Sequence, residues 1–533
     1  MTTGIYEAYR DGAAGAFFRD HFADGDARAR AVRRATRPLD AVVAAAIEEQ
    51  NARYAPSPTR DANLRLLRGG AAAVVTGQQV GLFLGPLYNF YKAASAIVAA
   101  RALAASTGSP VVPVFWLQTE DHDLPEIAIC NVPRADGSAL RLELPASRED
   151  RVSLAHVDLP GAVEERLDRM REELASFPHA EGHLDTLARH YRSGARWADA
   201  YAGALAELFA GEGLVLIDPR VPALAAHAAP LHRRAIENAK PIAAALSRRC
   251  GEIESAGFTA AVHVRAGAPL SFYHPDGPAG PRYRLEPDGD AWREVGGTRC
   301  HRTSDLMADL ERQPLNGSTS VLLRPILQDT LLPTAVYVGG PGEIAYFAQL
   351  GPLYDAFEMT MPLIAPRASF RILEDKTRHL LERLGTDSGC AALAEDEILG
   401  TGEAAEECRS RSEAMRRDLA DAFAAALRRC GDLADAGPGM TSAIEKARRA
   451  VDHAADRLAS KYETALLHRR QDLVEAARRV KCILQPEGVP QERFYGISYF
   501  AARYGEREMI QRIVDRAEPF DPVIRDLCCP EGA

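Results

Sequence analysis

Cysteine is scarce and scattered in this chain. Nine occur in 533 residues, none in a CxxC, and only Cys528 and Cys529 are neighbours. That excludes a disulfide framework or a zinc ribbon as the organising device. Long apolar runs are missing too. No stretch approaches the roughly 18 consecutive apolar residues of a spanning helix, and the opening MTTGIYEAYRDG lacks a basic-then-apolar leader pattern. A soluble cytoplasmic protein is therefore expected. There is no basic excess: 64 Lys and Arg face 74 Asp and Glu, a formal charge of -10. A broad electrostatic preference for nucleic acid is excluded on that balance. The phosphate-binding GxxxxGK[ST] is absent as well.

What is present is enough apolar matter for a large core: 47% of the residues are hydrophobic, and the length implies two or three structural units. The chain is organised around residues 71–123. Ala71 to Val75 is a short apolar run of small and β-branched residues ended by Gly77, the pattern of a buried parallel strand. Gly77, Gly81 and Gly85 with Pro86 punctuate a turn, and from Leu87 the pattern becomes helical. A second apolar run, Val111 to Trp116, ends in Glu120, Asp121, His122 and Asp123. In an open α/β sheet, ligands bind beyond the carboxyl ends of the strands, so both polar clusters should face one crevice. The glycine loop suits an anion, because free N–H groups and the dipole at a helix start attract negative charge. Its spacing is not GxGxxG, and a tight strand-to-helix connection explains the glycines equally well.

The rest of the chain reads in order. Asp26 to Leu67 predicts two or three helices broken at Pro38 and at Ala55 to Pro58. EIAICNVPRADGSALRLELP predicts a hairpin with its turn at Asp136-Gly137. Val215, Leu216 and Ile217 predict a third buried strand, and LSFYH and RYRLE lie in a β-rich insert. Val321 to Leu323 and Thr334 to Val338 are expected to resume the core sheet. GGPGE should then open a helix. His179 and His183 have i,i+4 spacing, but Pro178 and Gly182 favour a loop. Two long helices are expected over about 403–435 and 441–483, separated by GPG at Gly437 to Gly439. In the second, Ile444, Ala447, Val451, Ala454 and Leu458, then Leu473, Ala476, Val480 and Ile483, step by threes and fours, interrupted at Tyr462 and Arg469. An antiparallel coiled coil used for dimer contact is the expectation.

TGQQVGLFLGPLYNFYKA followed by FWLQTEDHD resembles the BshC family, the cysteine ligases of bacillithiol biosynthesis. Further matches are GLVLID, RPILQDTLLPT, GGPGEIAYFAQL, PLIAPRASF and PEGVPQERFYGISYFAARYG, in order across most of the chain. Leu84 departs from the family, whose members often carry a small or hydroxyl residue before GPLY. The resemblance implies an α/β fold: a Rossmann-like nucleotidyltransferase-type core over residues 1–375 with inserts near 126–165 and 255–310. A helical antiparallel coiled-coil domain over 376–484 and a segment from 485 to 533 packing back on the core complete it. It also implies a ligase that adds cysteine to glucosaminyl malate with ATP as co-substrate, and a homodimer.

Such chemistry needs positioned reactants and preorganised positive character more than covalent help from the protein. The expected nucleotide site is Gly77, Gln78, Gln79, Gly81, Gly85 and Pro86, with Gln78 and Gln79 as donors and Pro86, Leu87 and Tyr88 shaping the wall; Tyr88, Arg324, Arg367 and Ser369 are expected to bind substrate. Gly339, Gly340, Gly342 and Glu343 are a second helix start that could bind adenine, ribose or an amine, or serve only as a cap. Glu120, Asp121, His122 and Asp123 could orient the amine, act as general base or hold Mg²⁺; equally, one or two could cap the next helix or pair with an arginine. Arg324 could clamp the malate carboxylates or sit in a buried ion pair. Arg367 and Ser369 follow the expected last core strand, where related nucleotidyltransferases place a phosphate loop whose lysines are missing here. No cysteine sits in a nucleophile setting, and Cys482 is expected to be structural. Two other functions stay open: a catalytically inactive dimeric scaffold, and a metal-assisted phosphohydrolase built on the EDHD cluster.

Overall fold

The computed structural model describes residues 4–134, 136–146, 151–429 and 437–530. The chain divides into two compact units, the first comprising residues 1–134, 139–370 and 492–527, the second 135–138, 371–491 and 528–533. In chain order the strands of the first unit are β1 (Ala72–Gln78), β2 (Val111–Leu117), β3 (Ile129–Pro133), β4 (Ala139–Glu143), β5 (Val215–Ile217), β6 (Ser271–Tyr273), β7 (Tyr283–Asp288), β8 (Ala291–Glu294), β9 (Cys300–Arg302), β10 (Gly317–Thr319), β11 (Thr334–Gly339) and β12 (Leu363–Pro366).

Five of these form a parallel sheet in the order β12-β11-β1-β2-β5. Continuous burial of β1 and β2 follows from helices covering both faces, which is why their sequences are apolar without alternation. The helix Tyr88–Thr107 connects β1 to β2, and Gly108 ends it with φ 68°. Register brings Gln78 level with Leu117 and Gly339 level with Pro366, so the carboxyl ends line up. Pro113 lies in an interior strand, where a missing N–H is costly, yet β5 pairs only from Val114 onward. β5 is the sheet edge.

A short helix, Ile5–Arg10, comes first, and the helices expected between Asp26 and Leu67 form at Gly25–Ala35, Ala41–Asn51 and Pro58–Arg68, the first two of these opened by Asp24 and Asp40 side chains and the third by Ser57. β3 and β4 make the expected hairpin pairing. The β-rich insert is an antiparallel sheet of order β10-β6-β7-β8-β9. Its last strand, β10, arrives after the helix Thr303–Arg312. Val321 to Leu323 do not resume the core sheet: they turn into the helix Arg324–Leu331, whose second residue is a proline suited to a first helical turn. Of the two histidines expected in a loop, His179 lies in a turn and His183 in a helix. His179 precedes the helix Ala180–His190, in which Gly182 is accommodated, and buried His183 meets Glu506 at 2.7 Å.

The second unit is largely helical. Helices Gly402–Arg429 and Pro438–His468 run antiparallel, since Arg409 and Ser412 reach Glu463 while Arg416 reaches Asp456. The part of the first helix expected beyond residue 429 lies outside the described residues. The single helix expected from Thr441 to Ile483 is instead two. It starts earlier, at Pro438, and the chain leaves helical geometry at Arg470 (ψ 74°) before Gln471–Leu484. The break falls where the apolar seam lapsed, at Tyr462 and Arg469. Leu473, Ala476 and Val480 do not extend the coil but pack on Leu381, Leu384, Ile398 and Leu399. The 31-residue helix spans about 46 Å. Among the described residues no helix is long and apolar enough to cross a membrane.

Candidate active site

The loop after β1 is built from behind. Trp197 donates its indole N–H to the Val80 carbonyl at 2.6 Å, Asn89 donates to the Leu84 carbonyl at 2.9 Å, and Tyr191 Oη accepts from the Leu84 N–H at 2.9 Å. Phe83 and Leu84 take positive φ, 47° and 72°, a conformation that side chains resist and that these contacts hold. The glycines serve packing. A Cβ on Gly77 would lie 2.8 Å from the Trp116 carbonyl oxygen, and one on Gly81 would lie 2.7 Å from Gly85 Cα. Gly85 has φ 67° as well. Pro86 bridges to Gly496. At the helix start the Leu87 N–H is taken by the Tyr495 carbonyl and the Asn89 N–H by the Pro86 carbonyl. Gly77, Gly81, Gly85 and Pro86 are thus absent from the cavity wall, and the Leu87 and Asn89 N–H groups at the helix start are already engaged; Gln78, Gln79 and Tyr88 do reach the cavity.

The EDHD cluster splits by direction. Glu120 is buried, its carboxylate accepting from the Thr319 N–H at 3.1 Å and from the Thr319 hydroxyl, and burial pushes its carboxyl up. Asp121 and His122 face the cavity. Asp121 Oδ2 accepts from Gln79 Nε2 at 2.8 Å, and the same amide reaches Glu126 at 3.1 Å. Against the opposing effect of burial, His122, Arg282 and Gln79 hold the Asp121 carboxyl well below the usual carboxylate range. His122 Nδ1 stands 3.6 Å from Asp121 Oδ1. Asp123 opens the short helix Leu124–Ile127, off the cavity wall. The four do not converge as the ligand set that a metal-assisted phosphohydrolase would need. Among the described residues no group of three or more His, Cys, Asp or Glu side chains is spaced for a metal ion.

The ends of β11 and β12 supply the facing wall. Gly340, Gly342 and Glu343 line the cavity, while Gly339 stays within its strand. Glu343 Oε2 accepts from the Gly340 N–H at 2.8 Å, the cap expected of this position, and also from Lys92 at 2.5 Å. Lys92 was invisible as a site residue in the sequence, although a lone lysine inside the apolar YNFYKAASAI is a signal. It is 1% exposed and donates to the Gly77 carbonyl, Gln78 Oε1 and Glu343. Burial pushes its ammonium down to about 8 with Glu343 pulling the other way, and Lys92 in turn helps hold the buried Glu343 carboxyl low.

Arg324 and Arg367 both line the cavity and differ in kind. Arg367 is buried in a two-pronged pair with Glu492 at 2.8 and 2.6 Å and also reaches Ser369 at 2.8 Å; Ser369 itself is not on the wall. Arg324 is equally buried but meets only neutral groups, Gln328 Oε1 at 2.9 Å and Tyr346 Oη at 2.7 Å, above the Tyr337 ring. Among the described residues the buried ion pair that was the alternative for Arg324 does not form. Burial disfavours its charge, but Tyr337, Tyr346 and Glu343 outweigh burial and raise its pKa.

All these ends open on one cavity of about 620 Å³, roofed by residues of the β-rich insert. That insert adds cations that belong to no motif in the sequence: Arg265, Arg282 and Arg284, with Arg493 entering from the C-terminal segment. Arg282 is buried, donates to the Glu120 carbonyl, lies 3.9 Å over the Phe272 ring, and leaves its Nε without a partner. Burial brings its pKa down to about 10. Seven cations (six arginines and Lys92) face three carboxylates, Asp121, Glu126 and Glu343, in a chain whose net charge is -10. The size suits a small-molecule site, and its charge selects anions.

This chain matches the family described as "Bacillithiol biosynthesis BshC, N-terminal Rossmann-like domain" over residues 5–368 and the companion "C-terminal coiled-coil domain" over residues 401–524. Relatives named "Putative cysteine ligase BshC" include that of Koribacter versatilis, 36% identical with 89% of this chain and 87% of the relative covered. That of Salinibacter ruber is 32% identical with 91% and 89% covered, and that of Heliobacterium modesticaldum 34% identical with 83% and 80% covered.

Proposed function

The chain belongs to the BshC family of bacillithiol biosynthesis, which makes it an enzyme of the ligase class, and we propose that it joins cysteine to glucosaminyl malate after ATP has activated the cysteine carboxylate. One observation carries this reading. Arg265, Arg282, Arg284, Arg324 and Arg493 converge on the cavity, and none of them forms an ion pair among the described residues. Burying an unpaired cation such as Arg282 is costly, and an anionic ligand offsets the cost. A nucleotide triphosphate and a malyl group together bring that much negative charge.

A carboxylate is a poor electrophile, and its conversion to a mixed anhydride with a phosphoryl group gives the attacking amine a leaving group to displace. The guanidiniums then act where phosphate charge develops, as fixed positive groups. Asp121, kept ionised, orients His122, and His122 accepts the proton that the amine loses on attack. Gly340 and Gly342 let the nucleotide approach the backbone closely.

The test is reconstitution with purified protein. With ATP, cysteine and glucosaminyl malate, a thiol product with the mass of bacillithiol is expected. No product, together with normal bacillithiol in a deletion strain, would rule the reading out. The coil supports a homodimer as well, since Leu419 and Leu458 on its two helices are exposed, and light scattering in solution gives its mass directly.

A further inference from the structure

Tyr88 begins the helix that carries Lys92, and the two are linked through Gln78. An ammonium only donates, so the Gln78 atom 3.0 Å from Lys92 Nζ is Oε1. The amide NH₂ is therefore the group 3.1 Å from Tyr88 Oη, and Tyr88 accepts there. Its own proton has no acceptor among the described residues. Burial pushes the phenol up to about 12, which keeps that proton in place near neutral pH. The ring faces the cavity, with the guanidinium carbons of Arg367 and Arg493 each 5.6 Å from its centroid. The polarity is set from the far end: Glu343 and the Gly77 carbonyl hold Lys92, Lys92 holds Gln78 Oε1, and Gln78 turns the phenol outward.

We propose that Tyr88 Oη donates a hydrogen bond to an anionic oxygen of a bound substrate, carboxylate or phosphate, and that Lys92 is the positioning residue that dictates this direction through Gln78. The inference rests on the ligase reading for its choice of ligands.

The experiment is calorimetric titration of the full chain with ATP and, separately, with glucosaminyl malate. Tyr88→Phe deletes the donor alone and should weaken one of the two ligands roughly tenfold to a hundredfold, the range for a hydrogen bond to a charged group. The ligand affected identifies the oxygen as phosphate or carboxylate. Gln78→Glu keeps the size but accepts from both Lys92 and Tyr88, which turns the phenol proton away from the cavity. It should weaken the same ligand, and the Gln78→Glu, Tyr88→Phe double variant should be no weaker than Tyr88→Phe. Should Gln78→Glu fail to fold by circular dichroism, Lys92→Met with Tyr88→Phe replaces it; non-additive losses in affinity support the relay and additive losses overturn it. Full affinity for both ligands in Tyr88→Phe overturns the proposal, as does full affinity in Gln78→Glu for the ligand that Tyr88→Phe weakens. Binding that never leads to coupling contradicts the ligase reading and leaves the Tyr88 assignment standing. Wild-type chain that binds neither ligand overturns both.

Discussion

Lys92 Nζ lies 2.5 Å from Glu343 Oε2, which ties the helix after β1 to the start of the helix after β11 at the cavity wall. The two loops that face the cavity are thereby locked together through one buried charge pair. Removing Lys92 leaves Glu343, partly exposed on the cavity wall, without its cation. Lys92→Met is expected to lower unfolding stability by about 3–5 kcal/mol, and adding Glu343→Gln should restore part of the loss. Urea denaturation of the two variants checks this.

The same lysine makes stability depend on pH. Burial depresses its pKa to about 8 from the model-compound 10.5, so between those values the unfolded chain binds more protons than the folded one. Stability from this group is therefore fully present above about 10.5 and is lost as pH falls through 8, by up to about 3 kcal/mol. Thermal melts of wild type and Lys92→Met at pH 7.5 and 9.5 should show the wild type gaining relative to the variant at the higher pH.

Gly81 and Gly85 are expected to be intolerant for packing reasons. An added methyl at Gly81 meets backbone 2.7 Å away, and one at Gly85 meets the Asn89 amide at 2.7 Å from a positive φ. Gly81→Ala and Gly85→Ala should each cost about 1–3 kcal/mol in a melt and weaken ligand binding through displacement of Tyr88.

Much of this was legible in the residues. The run from Ala71 to Asp123 announced strand, loop, helix and strand, because small and β-branched residues ended by glycine read as a parallel strand and the apolar spacing then changed to helical. The convergence of the β1, β2, β11 and β12 ends followed from parallel topology. What the loop glycines do was not legible, because close packing between Gly81 and Gly85 and anion binding leave the same pattern. Val321 to Leu323 misled because three apolar residues fit a strand or a helix start, and Arg324-Pro325 decides between them. The insert's arginines were hidden for a different reason: Arg265, Arg282 and Arg284 become cavity residues only once the antiparallel sheet folds over the parallel one.

Arg324 should separate binding from stability. With no carboxylate partner, its replacement by methionine removes a buried charge without orphaning another. Because Tyr337, Tyr346 and Glu343 favour its charge, Arg324→Met is expected to melt a few degrees below wild type, while affinity for an anionic substrate falls at least tenfold. Parallel melting and titration of this one variant check both halves.

The most direct measurement is a crystal structure of the protein soaked with ATP and glucosaminyl malate. The account predicts both ligands in the cavity between Asp121 and Glu343, with phosphate and malate oxygens on the unpaired arginines and the amine within reach of His122. Ordered ligands on any other surface, with this cavity vacant, would contradict it.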